Sequence, residues 1–224
     1  TKLLVLPFPN NPTGAILERE DLENIAKVLR PTNIAVLSDE IYAELTYGRK
    51  HVSIASIEGM RERTIIASGF SKAYAMTGWR LGYIAAPAEI TKQIYKIHQY
   101  GIMCAPTASQ FAGLEAMKNG DDDIEYMKSQ YNRRRVILLD GLRSLGFSCF
   151  EPEGAFYLFP RITNGEITSD EFCEKLLYEA GVAIVPGTAF GKCGEGFARL
   201  SYAYSVNHIE QALERMEKFI KKYN

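Results

Sequence analysis

The residues best equipped for chemistry sit in one run, Ser68-Gly69-Phe70-Ser71-Lys72-Ala73-Tyr74-Ala75-Met76-Thr77-Gly78-Trp79-Arg80-Leu81-Gly82-Tyr83. Lys72 stands in an apolar stretch punctuated by Gly and Ser, with no other charge until Arg80. That is an odd setting for a residue whose only task is solubility. An amine placed and partly desolvated in this way is suited to a Schiff base with an aldehyde cofactor. Ser71 and Arg80 are types that bind phosphate, the arginine through a planar fork that matches the anion's oxygens. Two more constellations precede this run. Asn10-Asn11-Pro12-Thr13-Gly14 follows the apolar run Leu3–Leu6, and Asp39-Glu40-Ile41-Tyr42 follows the run Ile34–Leu37. Taken singly, Lys72 would be a solvated surface residue and Asp39 a cap or strand-end acid. Downstream, Arg199 interrupts the apolar stretch Phe197–Ala203. An arginine there either snorkels to solvent or meets a buried anion.

The elements that must position these groups follow an α/β rhythm. Four strand-like runs, Lys2–Pro7, Ile34–Asp39, Thr64–Ser68 and Leu81–Ala86, alternate with helix or loop, which predicts part of a mainly parallel sheet. The crossover Glu18–Arg30 places Leu22, Ile25, Ala26 and Leu29 at helical spacing and stops before Pro31. A helix is expected from Pro106 to about Gly120, and a long one from about Asp122 to Leu145, stopped by Gly146. The chain then becomes α+β. Strands are expected near Phe147–Phe150, Ala155–Phe159, Val182–Ile184 and Ala198–Ser201. Thr168 and Glu171 form a capping box for a helix closed by Gly181. A last helix from about Asn207 aligns Ile209, Ala212, Leu213, Met216, Phe219 and Ile220 on one face, a core stripe. In an open α/β sheet ligands bind past the carboxyl ends of the strands. Asn11, Asp39 and Lys72 each follow such an end.

Read in order, NPTG, DxxY, SxxSK and GWRxG resemble the class I/II aminotransferases of the aspartate aminotransferase superfamily, enzymes of fold type I that depend on pyridoxal 5'-phosphate. The resemblance implies a cofactor held by Asn11, Asp39, Tyr42, Ser71, Lys72 and Arg80, with Lys72, Asp39 and Tyr42 catalytic. Asp39 would keep the pyridine nitrogen protonated, while Tyr42 and Asn11 would hydrogen-bond the ring oxygen. Lys72 would hold the cofactor as an internal aldimine and move the substrate's proton. Ser71 and Arg80 would bind the phosphate, and Gly69 stands where some relatives carry a further phosphate-binding serine. Arg199, in a pattern similar to the family's RxSxA strand, would bind the substrate α-carboxylate together with Asn11. The Asn11–Pro12 bond is expected to be cis. The implied activity is amino transfer from an L-amino acid to a 2-oxo acid such as 2-oxoglutarate. Two rivals share the motifs: a β-lyase or synthase of the same fold, and the aminotransferase-like effector domain of a transcription regulator.

The implied organisation is the cofactor-binding large domain over residues 1–130 and a small C-terminal domain over 131–224. The helix at about 122–145 would bridge the two. The resemblance covers essentially all 224 residues but matches the C-terminal part of the family pattern. The glycine-rich phosphate turn, the aromatic that stacks on the ring and the partner-subunit tyrosine are not found, so weak cofactor binding by this chain alone is expected. Between Tyr95 and Pro106 the only Lys or Arg is Lys96, whereas Tyr100, Ile102 and Met103 are present. Phe156 and Tyr157 would add aromatic walls. This leans toward an aromatic or other apolar amino donor, as in the bacterial aromatic and broad-specificity branch.

Composition is that of a globular protein, 46% hydrophobic with formal net charge −1, which gives no reason to expect a nucleic-acid partner. Four scattered cysteines and three histidines show no metal-ligand spacing. They fit reduced, mostly buried thiols and no metal in a cytoplasmic protein, and the family resemblance implies a homodimer. No stretch approaches the ~20 apolar residues of a membrane helix.

Overall fold

The computed structural model describes residues 1–163 and 165–223. The chain divides into two compact units, one of Thr1–Asn10 with Ala15–Lys128, the other of Asn11–Gly14 with Ser129–Asn224. The first unit is built on four strands, β1 (Leu3–Pro7), β2 (Ala35–Asp39), β3 (Thr64–Gly69) and β4 (Gly82–Ala85), in the order β1-β2-β3-β4. β1, β2 and β3 run parallel in the register Pro7↔Asp39 and Asp39↔Ala67. β4 returns antiparallel, with Gly69 opposite Gly82.

Period-2 alternation decides which strand residues face the core. Leu6 and Val36 turn inward onto α1 (Arg19–Leu29), where they meet Leu22, Ala26, Leu29, Ile54, Ile57 and Met60. Each large side chain removed from water in such a cluster contributes about 1.5–3 kcal/mol. Leu3 and Val5 point the other way and are exposed. α1 ends before Pro31, whose ring would clash with a continuing helix.

Beyond β4 come α2 (Ala88–Gly101), α3 (Thr107–Asn119) and α4 (Asp121–Ser144). α2 is an addition to the elements expected from sequence. Its stripe Ile90, Ile94, Ile97 is helical in spacing, but none of its residues is buried. α3 and α4 meet the expected bounds within a residue or two. α4 opens with Asp121, Asp122 and Asp123, three acids that complement the positive end of the helix dipole. The boundary between the units falls inside α4, after Lys128.

The second unit holds a three-stranded antiparallel sheet, β5 (Tyr157–Leu158), β6 (Val185–Pro186) and β7 (Ala198–Ser201), ordered β5-β7-β6. Around it lie α5 (Ser169–Ala180) and α6 (Val206–Tyr223). Both halves of the Thr168–Glu171 capping box form, and Gly181 closes α5 in the left-handed conformation. Ile209, Met216 and Phe219 of α6 are buried, and the Phe219 ring stands edge-on to Phe172 at 5.7 Å. Two strand expectations need correction. Phe147–Phe150 forms only the single bridge Ser148↔Arg161, and the pairing expected at Val182–Ile184 begins three residues later, at Val185–Pro186.

The cysteine expectation also changes. Cys173 is buried and Cys149 partly so, but Cys104 and Cys193 are exposed. Among the described residues no helix is long and apolar enough to cross a membrane, and no group of three or more His, Cys, Asp or Glu could hold a metal ion.

Candidate active site

In the first unit the carboxyl ends of β2 and β3 deliver two turns. Asp39 closes β2 partly buried, and its Oδ1 accepts the backbone N–H of Ile41 at 3.2 Å. A turn follows, with Ala43 N–H donating to the Glu40 carbonyl and Leu45 N–H to that of Tyr42. Tyr42 is buried at 6% exposure, and the Lys72 Nζ stands 5.8 Å from the centre of its ring. Lys72 lies on the loop that joins β3 to β4. Thr77 ties that loop together: its hydroxyl donates to the Ser71 carbonyl at 2.7 Å, and its own carbonyl accepts from Arg80 Nη1 at 2.8 Å. Arg80 is exposed, has no carboxylate partner among the described residues and adopts a left-handed backbone at φ 53°. For a non-glycine residue that conformation costs about 1–2 kcal/mol, and such strain clusters at functional sites.

The second unit brings together two residues 188 positions apart. Arg199 Nη1 donates to Asn11 Oδ1 at 2.8 Å. The guanidinium lies over two rings, 4.5 Å from the centre of Tyr157 and 5.0 Å from that of Phe190. Stacking between aromatic faces holds the planar fork in one orientation. No carboxylate pairs with it among the described residues, so a planar anion would find its remaining donors.

Asn11 is held by its loop. Asn10 N–H donates to the Ala15 carbonyl at 2.8 Å, and the Asn11–Pro12 bond is cis, as is Phe8–Pro9. The Gly14 carbonyl accepts the N–H groups of Glu153 and Gly154 at 3.1 and 2.9 Å. A Cβ at Gly14 would stand 2.3 Å from Pro152 Cβ. The glycine of the NPTG motif is therefore a packing requirement, since its backbone must lie against Pro152–Tyr157 at φ 71°.

Residues 1–216 match the profile of the family described as Aminotransferase class I and II. The chain belongs to that family. An aspartate aminotransferase of Pyrococcus abyssi is 45% identical over 225 residues, which are 99% of this chain and 58% of that protein. The YugH protein of Bacillus subtilis is 50% identical over 222 residues, again 99% of this chain and 58% of the relative. An aromatic aminotransferase structure from Pyrococcus horikoshii superposes with TM-score 0.96 at 45% identity, covering 100% of this chain and 61% of that one. The chain thus spans a little under three fifths of the curated relatives it matches. Members of this aminotransferase family are pyridoxal phosphate enzymes of fold type I.

The structure adds contacts around the candidate residues that their motifs do not give; Thr77, Phe190 and Glu40 were passed over in sequence, while Tyr157 was read only as an aromatic wall. Thr77 carries the contacts that bracket Lys72, and its position just ahead of GWRxG was the available signal. Tyr157 and Phe190 flank Arg199; nothing in their spacing to it could have shown this. Glu40 is 7% exposed and accepts from Ser38 and Ser53, with His51 beside it. Gly69, read as a substituted phosphate contact, has a steric reason: a Cβ there would lie 2.8 Å from Gly82 Cα across the β3–β4 pair. A cleft of about 650 Å³ in the first unit is lined by Glu40, His51, Ser68 and Tyr83, but not by Asp39, Tyr42, Lys72 or Arg80.

Proposed function

We propose that the protein transfers an amino group from an L-amino acid to a 2-oxo acid such as 2-oxoglutarate with pyridoxal phosphate. The observation that carries this reading is Asp39 at the carboxyl end of β2 and Lys72 three residues past that of the adjacent parallel strand β3, with the Lys72 amine 5.8 Å from the centre of the Tyr42 ring. The donor set fits the cofactor. Arg80, without a carboxylate partner among the described residues, and the Ser71 hydroxyl would bind its phosphate. Asp39 would hold the proton on the pyridine nitrogen, because an adjacent carboxylate favours the charged ring. Tyr42 and the Asn11 amide would donate to the ring oxygen. When bound, the cofactor supplies the aldehyde and the electron sink that amino transfer needs.

The chain's own groups would do the rest. The Lys72 amine would take the proton from the substrate α-carbon and return one during the second half of the cycle. Arg199, fixed by Asn11 and by the Tyr157 and Phe190 rings, would bind the α-carboxylate and orient the bond to be broken. The first unit is proposed as part of the cofactor-binding large domain and the second as the small domain, in a cytoplasmic homodimer. An aromatic or other apolar donor is favoured because the segment Ile97–Ala105 carries no Lys or Arg for a distal carboxylate.

Borohydride reduction after incubation with pyridoxal phosphate, followed by peptide mapping, tests the reading. Label confined to Lys72, and absent in Lys72→Arg, is the expected result. Label spread over surface lysines, or none on the folded protein, would overturn it.

A further inference from the structure

Beside the residues proposed for chemistry lies a buried polar cluster that the mechanism does not use. Glu40 follows Asp39 directly, and the strand's alternation sends its side chain to the opposite face. Its Oε1 accepts the hydroxyls of Ser38 at 2.9 Å and Ser53 at 2.6 Å. His51 Nε2 stands 3.1 Å from its Oε2, and no other partner for that nitrogen lies among the described residues. Both side chains are shielded, with 8% of the glutamate and 15% of the histidine exposed. A carboxylate taken out of water is retained only if its lone pairs are satisfied, and this one has two hydroxyls and an imidazole nitrogen against it.

The backbone of the same residue joins two strands. Glu40 N–H donates to the Ala67 carbonyl at 2.8 Å, and the Glu40 carbonyl accepts the Ser68 hydroxyl at 3.2 Å. Ala67 and Ser68 belong to β3, the strand that leads to Lys72. Ser53 also caps the short helical turn Ile54–Ser56, which enters the apolar core through Ile54 and Ile57. One residue thus links the end of β2, the end of β3 and the packed segment behind them.

We propose that Glu40, gripped by His51, Ser38 and Ser53, is a positioning residue that fixes the turn carrying Asp39 and Tyr42. The geometry supplies the reason. Asp39 and Tyr42 flank Glu40 at one and two positions, so the backbone that sets where both side chains begin is the one Glu40 anchors to Ala67 and Ser68. Burial acts to raise the Glu40 pKa, yet the bonds from His51 and Ser53, the charge of His51 and the Ser38 hydroxyl outweigh it, so the net shift is downward. The carboxylate is therefore held ionised at neutral pH. The other charged groups facing it across the cleft are Glu44 and Lys50, with Asp121, Glu125 and Lys128 from α4.

This inference rests on the cofactor reading above, and the test separates the two. Glu40→Gln keeps shape and the oxygen that Ser38 and Ser53 need, and His51→Gln removes the imidazole alone. Hydrogen exchange without cofactor is measured for the amides of Glu40, Ile41 and Ala43. Pyridoxal phosphate affinity is then titrated, together with the pH at which its bound visible absorbance changes. Each variant is expected to speed exchange at those amides, to leave those of β5 and β7 unchanged and to move the absorbance midpoint. Affinity should fall about tenfold, the low end of what losing an orienting partner costs at metal sites. The double variant should be no worse than the worse single one, because both remove the same link. Faster exchange with affinity and midpoint unchanged would show a merely structural cluster and overturn the proposal. Failure of the unsubstituted protein to take label at Lys72 would remove both readings. Label there, with variants like the parent, would remove this one alone.

Discussion

Replacing Gly14 by alanine should loosen the Asn11–Gly14 loop by an amount the geometry allows to be worked out. Its φ of 71° is a conformation that costs a residue with Cβ roughly 1–2 kcal/mol. The new Cβ would also meet Pro152 Cβ at 2.3 Å, the Gly154 carbonyl oxygen at 2.9 Å and that of Tyr157 at 3.2 Å. Two of the three are backbone atoms, so the clash is relieved only by moving a chain segment, an overpacking cost of about 1–3 kcal/mol. The sum is about 2–5 kcal/mol. Gly48→Ala isolates the first part, because φ there is 78° and no atom lies within 4 Å of the added Cβ. The assay is hydrogen exchange at the Glu153 and Gly154 amides, both bonded to the Gly14 carbonyl. A local loss of about 2 kcal/mol corresponds to exchange about thirtyfold faster, at a factor of ten per 1.4 kcal/mol. Gly48→Ala should leave those amides unchanged and lower overall stability by about 1–2 kcal/mol. Exchange within threefold of the parent in Gly14→Ala would refute the packing argument.

Other outcomes are equally specific. Arg199→Lys keeps the charge but loses the fork and its ring stack, so affinity for a 2-oxo acid should drop about tenfold or more in a binding titration. Glu40 has a folded pKa below its ordinary 4.5, so its stabilisation is present above 4.5 and is lost as pH falls through the lower folded value. Thermal unfolding from pH 7 to pH 3 should therefore show a steeper acid loss for the parent than for Glu40→Gln. Burial pushes the Cys149 thiol up to about 11 and the Cys173 thiol up to about 12, while Cys104 and Cys193 are exposed. Iodoacetamide at pH 8 should then modify Cys104 and Cys193 first, with Cys149 slower by about 100-fold and Cys173 by about 1,000-fold until the protein unfolds.

Much of the fold could be read from the chain because strong local signals agree with tertiary packing. The parallel strands are apolar runs bounded by turn residues, and the capping box at Thr168–Glu171 is satisfied entirely within four residues. Failures occurred where local pattern and packing part company. α2 has a clear apolar stripe, yet Ile90 and Ile94 are only partly buried and Ile97 is exposed, so the stripe is not matched by close packing among the described residues. Phe147–Phe150 looks like a strand by composition, but it finds one bridging partner instead of a ladder. Lys72, Asp39 and Asn11 were singled out by motifs whose chemistry is restrictive, and their roles are those proposed above. The grip on Arg199 was not, since Tyr157 and Phe190 approach it only through folding. Glu40 and His51 left a faint signal, an acid at an apolar strand's end and a lone histidine eleven residues on, which spacing alone does not join.

The assignment of Asn11–Gly14 to the second unit bears on how these parts could be exchanged between proteins. A swap made at a single junction in α4 would transplant Ser129–Asn224 without the tetrapeptide whose Gly14 lies against Pro152–Tyr157 and whose Asn11 holds Arg199. The recipient's own tetrapeptide would have to fit a surface it had never been selected against. Recombination at this locus is therefore constrained at two distant places at once, and viable chimeras should inherit the loop and the later segment as a linked pair.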